Sequence, residues 1–127
     1  MALQDLRKND MMAHLLDALE QGKDIGHYGR LVFTMVAQYF LDDEQIVNLL
    51  KQDQDFSEEQ ARGLVEQVRS RGYNPPRRER IIQWQKEQKF PICPSDDPDA
   101  CNVYRNLKLP EEIFRDISQY HEEKANA

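Results

Sequence analysis

The apolar residues of this chain recur at helical spacing almost from its first residue, and no run alternates with the period of a strand. Leu3, Leu6, Met11, Met12, Leu15, Leu16 and Leu19 fall mostly three or four positions apart. That spacing lays one apolar stripe along a helix, and Gly22 supplies a stop behind it. Methionines in such a stripe read as core rather than as a cofactor site. A second helix is expected from about Gly26 to Phe40, with Leu31, Phe33, Val36, Ala37, Phe40 and Leu41 on one broad face. It is the most apolar segment, so it belongs at the centre of the core. No period-two run is present, so no sheet is expected.

Local start and stop signals divide the remainder. Asp42 or Asp43 caps a short third helix carrying Ile46, Val47, Leu49 and Leu50. Ser57-Glu58-Glu59-Gln60 is a capping-box pattern that opens a fourth helix, with Leu64, Val65 and Val68 on its buried face and Gly72 at its end. Tyr73-Asn74-Pro75-Pro76 must be extended, because each proline restricts the residue before it. A fifth helix carries Ile81, Ile82 and Trp84 and stops before Pro91. Residues 91–101 form a Pro- and Asp-rich loop holding both cysteines, Cys93 and Cys101, and a helical turn is expected around Val103 and Tyr104. Pro110 opens a last helix through Ile113, Phe114 and Ile117, and residues 121–127 are expected to fray. The expected fold is all-α: a compact bundle of about five to six helices forming one domain over 1–127.

Charge bounds the function. The chain carries a net charge of -6, which argues against a general polyanion binder. The charge is unevenly placed. From Arg62 to Lys89 eight basic residues face three acidic ones, while the rest of the chain holds nine basic against twenty acidic. Local basicity inside an acidic chain can make a patch; the plain reading, which composition alone favours, is a solvated helix pair with ordinary Arg stems. No window is apolar and long enough to span a membrane, and the first residues lack the basic-then-apolar pattern of a signal peptide. A soluble, cytoplasmic protein in a reducing compartment is expected. There, free structural thiols are the leading reading of Cys93 and Cys101, ahead of half a metal or cluster site and of a disulfide. A redox protein is disfavoured, because seven residues lie between the cysteines where a redox motif has two.

Catalytic signatures are missing. There is no phosphate-binding glycine loop, no HExxH and no nucleophile elbow. His14, His27 and His121 show no metal-ligand spacing, and two cysteines cannot complete a tetrahedral site. No enzyme activity, metal, cofactor or small-molecule substrate is expected.

Four features nevertheless occur in a telling order: Gly26-His27-Tyr28-Gly29-Arg30 opening an apolar helix; Phe40 to Leu50; Asp55-Phe56-Ser57-Glu58-Glu59-Gln60-Ala61-Arg62 with Val65-Glu66-Gln67-Val68 and Tyr73-Asn74-Pro75-Pro76; and Pro91-Ile92-Cys93 followed by Cys101 and Tyr104. This order resembles the C-terminal domain of the large subunit of archaeal and eukaryotic DNA primase, over roughly residues 10–110. The resemblance implies a helical unit around a [4Fe-4S] cluster held by four cysteines. Such a unit grips the template and the 5′ end of the primer, and the nucleotidyl transfer belongs to the other primase subunit. In this chain Cys93 and Cys101 match the last two cluster positions. The first would fall near Asp10 to Met12 and the second at Arg77 or Arg78, where no cysteine stands. No stable cluster is expected in a monomer, the alternative being one shared between two chains.

The resemblance also implies an anion site at His27 and Arg30, since a helix N-terminus with a guanidinium beside it suits a phosphate. The plain alternative pairs Arg30 with Asp24. Arg77, Arg78 and Arg80 at the start of the fifth helix can track a nucleic-acid backbone, with Tyr73 or Trp84 as a stacking surface; the plain reading of Trp84, which its place in the apolar pattern favours, is core packing. Two functions follow from the sequence: a non-catalytic nucleic-acid-binding module that grips DNA or RNA, or a protein-interaction factor that keeps the fold without the cluster.

Overall fold

A computed structural model of the chain describes residues 2–104, 106, 107 and 109. Among these residues there are six α-helices and no strand: α1 (Ala2–Arg7), α2 (Asp10–Glu20), α3 (Gly26–Ala37), α4 (Asp43–Leu50), α5 (Glu58–Arg71) and α6 (Arg78–Gln85), followed by a 3-10 turn at Pro98–Cys101. The all-helical expectation holds. The helix expected from Pro110 and the tail at 121–127 lie outside the described residues.

The expected first helix is two. Asn9 breaks it, because its side-chain carbonyl accepts from Met12 N at 3.1 Å and caps α2. Its amide also donates to Asn102 O at 2.9 Å, so this buried residue ties α2 to the far end of the cysteine loop. The other caps follow the sequence. Asp42 and Gln45 form a reciprocal capping box at α4, as Ser57 and Gln60 do at α5. Gly72 closes α5 in the left-handed conformation at φ 61°, which glycine adopts without penalty.

Helix α3 is central and touches α2, α4, α5 and α6. Its Val32, Phe33 and Val36 are wholly buried, together with Met11, Met12, Leu15 and Leu16 of α2. The methionines are therefore core, as their spacing predicts. Ile46 and Leu50 of α4 and Ile81 of α6 close the same cluster, and Ile92, Cys93, Cys101 and Val103 seal it from the loop side. Burying this apolar surface is the main drive to fold. Ion pairs clamp α4 to α5: Arg62 grips Glu44 with two hydrogen bonds at 2.6 and 3.0 Å, and Arg69 pairs with Asp43. No described helix is long and apolar enough to cross a membrane.

Candidate nucleic-acid interface

The start of α3 is where the resemblance places a phosphate. Two of its first-turn N–H groups, those of Gly26 and Tyr28, already have partners inside the chain. Asp24 accepts from Gly26 N at 2.9 Å. The Gln88 side chain accepts from Tyr28 N at 2.9 Å and donates to Ile25 O and Phe90 O at 2.9 and 3.0 Å. Gly26 makes this approach possible: its φ is +79°, and a Cβ there would lie 2.5 Å from Gln88 Oε1. Gln88 therefore acts as a neutral lid on the positive end of the helix.

Arg30 is held from the other side. Its Nη1 donates to Asp53 Oδ2 at 3.0 Å and to Asp24 Oδ1 at 3.1 Å, and its guanidinium lies 4.3 Å from the centroid of the Phe56 ring. The Arg30 side chain is 11% exposed and that of Asp53 is fully covered. Asp53 has two further donors, Ile25 N at 3.0 Å and Asp55 N at 2.9 Å. This buried carboxylate joins the turn after α4 to the start of α3. Arg30 thus follows the plain alternative, pairing with Asp24, and Asp53 adds a partner that sequence spacing does not single out. A phosphate here would have to displace Gln88 and compete with two carboxylates.

A second region collects four of the expected residues. Tyr73, Arg77, Arg80 and Trp84 line one cavity of about 520 Å³ between α3, the extended segment 73–77 and α6, completed by Leu31, Met35, Gln67, Asn74, Pro75, Pro76 and Tyr104. Its construction is local. Gly72 ends α5 in the left-handed conformation, and the proline pair keeps Asn74 and Pro75 extended beyond it. Gln38 at the end of α3 then donates to Tyr73 O at 3.1 Å. Across the cavity the Tyr104 hydroxyl donates to Pro75 O. Spacings of three and seven residues along α6 bring Arg80 and Trp84 to the same face as its N-cap, Arg77. Arg80 has no carboxylate within ion-pair distance among the described residues.

Trp84 also stacks on Tyr28, ring centroids 5.2 Å apart and planes 16° apart, and Tyr28 meets the edge of His27 at 5.2 Å. The Tyr28 hydroxyl bonds to Glu87, and this bond raises its pKa above the ordinary phenol value. An aromatic row therefore runs from exposed His27 to the cavity wall. Arg78 does not line the cavity; its guanidinium pairs with Glu79 at 3.5 Å.

Cys93 and Cys101 are joined as a disulfide, Cα atoms 4.9 Å apart, within the span such a bond requires. The expectation of free thiols is corrected here. Folding the loop back onto α6 and α2 brings the pair together, an approach that spacing alone does not give. Among the described residues no three His, Cys, Asp or Glu side chains converge on a metal position.

Sequence reasoning passed over Asp53, Gln88 and Met35, and it assigned Leu31 to the core face rather than to a site. Only Leu31 and Met35 left a signal, as positions one turn apart on the flank of the apolar face of α3. No family model, curated protein or solved structure matches this chain.

Proposed function

We propose that this chain is a non-catalytic module that holds single-stranded nucleic acid, a template segment or a 5′-phosphorylated end, in the cavity between α3 and α6. One observation carries the reading: Arg77 and Arg80 stand on the wall of a cavity that also presents the rings of Tyr73, Trp84 and Tyr104. Single strands are held by this combination, with guanidinium groups along the backbone and aromatic faces under the bases. The volume lies within the range of ordinary ligand sites. The resemblance to the C-terminal domain of the primase large subunit supports the same class of ligand. The contact differs from the one that resemblance implies, since it centres on Arg77 and Arg80 rather than on Arg30.

Fluorescence anisotropy of a labelled single-stranded oligonucleotide bearing a 5′-triphosphate tests the proposal, read at two salt concentrations. Binding should fall steeply with salt, and Arg80→Ala should lower the slope of log affinity against log salt by about 0.7, the contribution of one phosphate contact on a single strand. Tyr73→Ala should weaken binding by about 1–3 kcal/mol through lost stacking. Binding that is absent at low salt, or indifferent to both substitutions, overturns the proposal.

The protein-interaction reading rests on a different observation. Outside residues 62–89 the chain is strongly acidic, and Asp42 and Glu59 there are exposed. An acidic face attracts a basic protein surface and speeds its encounter. Salt-sensitive capture of a basic polypeptide that Glu59→Lys abolishes and Arg80→Ala leaves unchanged would favour this reading.

A further inference from the structure

The loop that carries the disulfide also supplies one wall of the cavity. Tyr104 follows Cys101 by three residues, and its hydroxyl reaches across to Pro75 O. Its backbone N–H donates to Asn102 Oδ1 at 3.0 Å, while Asn102 O accepts from the buried Asn9 at 2.9 Å. At the other end of the loop, Cys93 N donates to Gln85 Oε1 at 3.0 Å, on the helix that carries Arg80 and Trp84. Between the two ends, Pro94, Ser95, Asp96 and Asp97 are exposed. The covalent link therefore joins a point fixed on α6 to the segment that positions Tyr104.

We infer that the Cys93–Cys101 disulfide is a redox latch on this cavity: it holds the Tyr104 wall against Pro75, and a dithiol reductant releases it. The inference rests on the cavity being the nucleic-acid contact proposed above. The exchange is complete in itself. A thiolate of the dithiol attacks one cysteine sulfur, the disulfide bond breaks, and its electron pair leaves on the other sulfur, which takes up a proton. The second thiol of the reductant then displaces the first cysteine from the mixed disulfide. The dithiol ends as a cyclic disulfide and both cysteines end as thiols. Both cysteines are buried, 5% and 1% exposed, so attack follows a local opening of the loop. With the bond gone, the cavity loses a preorganised wall, and ordering that wall falls to the ligand.

Trp84 is the only tryptophan in the chain and lines the cavity, so its fluorescence reports the cavity with or without ligand. The full chain is compared before and after dithiothreitol, by thiol titration, helical circular dichroism, acrylamide quenching of Trp84 and oligonucleotide anisotropy. On reduction two thiols should appear, helicity should persist, quenching should rise, and affinity should fall by about 5-fold or more, the lower range of measured couplings between sites. Reoxidation should reverse all four. Oxidised Tyr104→Phe should show the raised quenching already and respond less to reduction. Thiols that titrate before reduction overturn the latch, as does loss of helicity on reduction, which would make the bond a general staple. Unchanged Trp84 quenching also overturns it. If the oxidised protein fails to bind the oligonucleotide, the nucleic-acid reading falls, and Trp84 quenching decides the latch alone.

Discussion

Removing the carboxylate of Asp53 should be among the most damaging single polar changes in the chain. Three donors converge on it: Ile25 N, Asp55 N and the Arg30 guanidinium, at 3.0, 2.9 and 3.0 Å. Asp53→Ala leaves all three without that acceptor in a site where the Asp53 side chain is wholly covered and that of Arg30 is 11% exposed. Charge-assisted hydrogen bonds contribute about 1.5–3 kcal/mol each, so a plain sum exceeds what one residue supplies. Two features reduce it. Asp24 still accepts from Arg30 at 3.1 Å, and its side chain is 40% exposed, so water can enter from that side. The net cost should be about 3–4 kcal/mol, within the range for breaking a buried pair by deleting one partner. In a domain of this size that is a fall in Tm of about 10–20 °C. Arg30→Met keeps the stem over Phe56 and leaves Asp53 two backbone donors, so it should cost about 1–2 kcal/mol. The double variant should then be less destabilised than the two singles combined, with a coupling of about 1–2 kcal/mol. Urea unfolding followed by circular dichroism measures all three. A cost below about 1 kcal/mol for Asp53→Ala with no coupling to Arg30 would refute the reasoning.

Other outcomes follow from single residues. Gly63 lies inside α5, exposed, and a Cβ there would meet nothing within 4 Å; Gly63→Ala should stabilise by about 0.5–1 kcal/mol, read as a higher urea midpoint. Gly26→Ala should cost about 2–3 kcal/mol, because it forces a left-handed backbone on alanine and pushes Gln88 off the α3 cap; Gln88→Ala added to it should then cost little more. Glu44 is held below the ordinary carboxylate range first by its hydrogen bond from Arg62 and then by that residue's charge. A lowered folded-state pKa means the pair stabilises above the unfolded value and is lost as pH falls through the folded one. Glu44→Gln should therefore flatten the acid side of the stability–pH curve relative to the parent chain and leave its alkaline side unchanged.

What could be read in advance was local. The Asp42–Gln45 and Ser57–Gln60 caps each close within four residues, so their chemistry is complete in the sequence. Gly72 and the proline pair act on their own backbone, and Tyr73, Arg77, Arg80 and Trp84 follow from them, since an extended turn entering a helix sets those side chains at fixed intervals. Asn9 was open to the same reasoning, because asparagine favours a helix cap over a helix interior. The continuous apolar stripe across it concealed the break.

The residues that went unread act at a distance. Gln88 caps a helix sixty positions earlier in the chain, and no property of a glutamine announces that. Asp53 stands among other acidic residues in a turn, and only the packing of α3 beside that turn turns it into a buried partner for Arg30. The count of basic residues misled for the same reason. Of the eight between Arg62 and Lys89, Arg62 and Arg69 fasten α5 to α4, and Arg78 lies beside Glu79. Net charge along a segment does not distinguish a cation that clamps two helices from one that faces a cavity. How each guanidinium is held depends on which carboxylates the fold brings within about 4 Å of it, and a count of charges along the chain does not contain that. Two carboxylates hold Arg30, as its plain pairing with Asp24 foreshadowed, so the contact proposed for an anion is the cavity wall where Arg77 and Arg80 stand beside the aromatic rings.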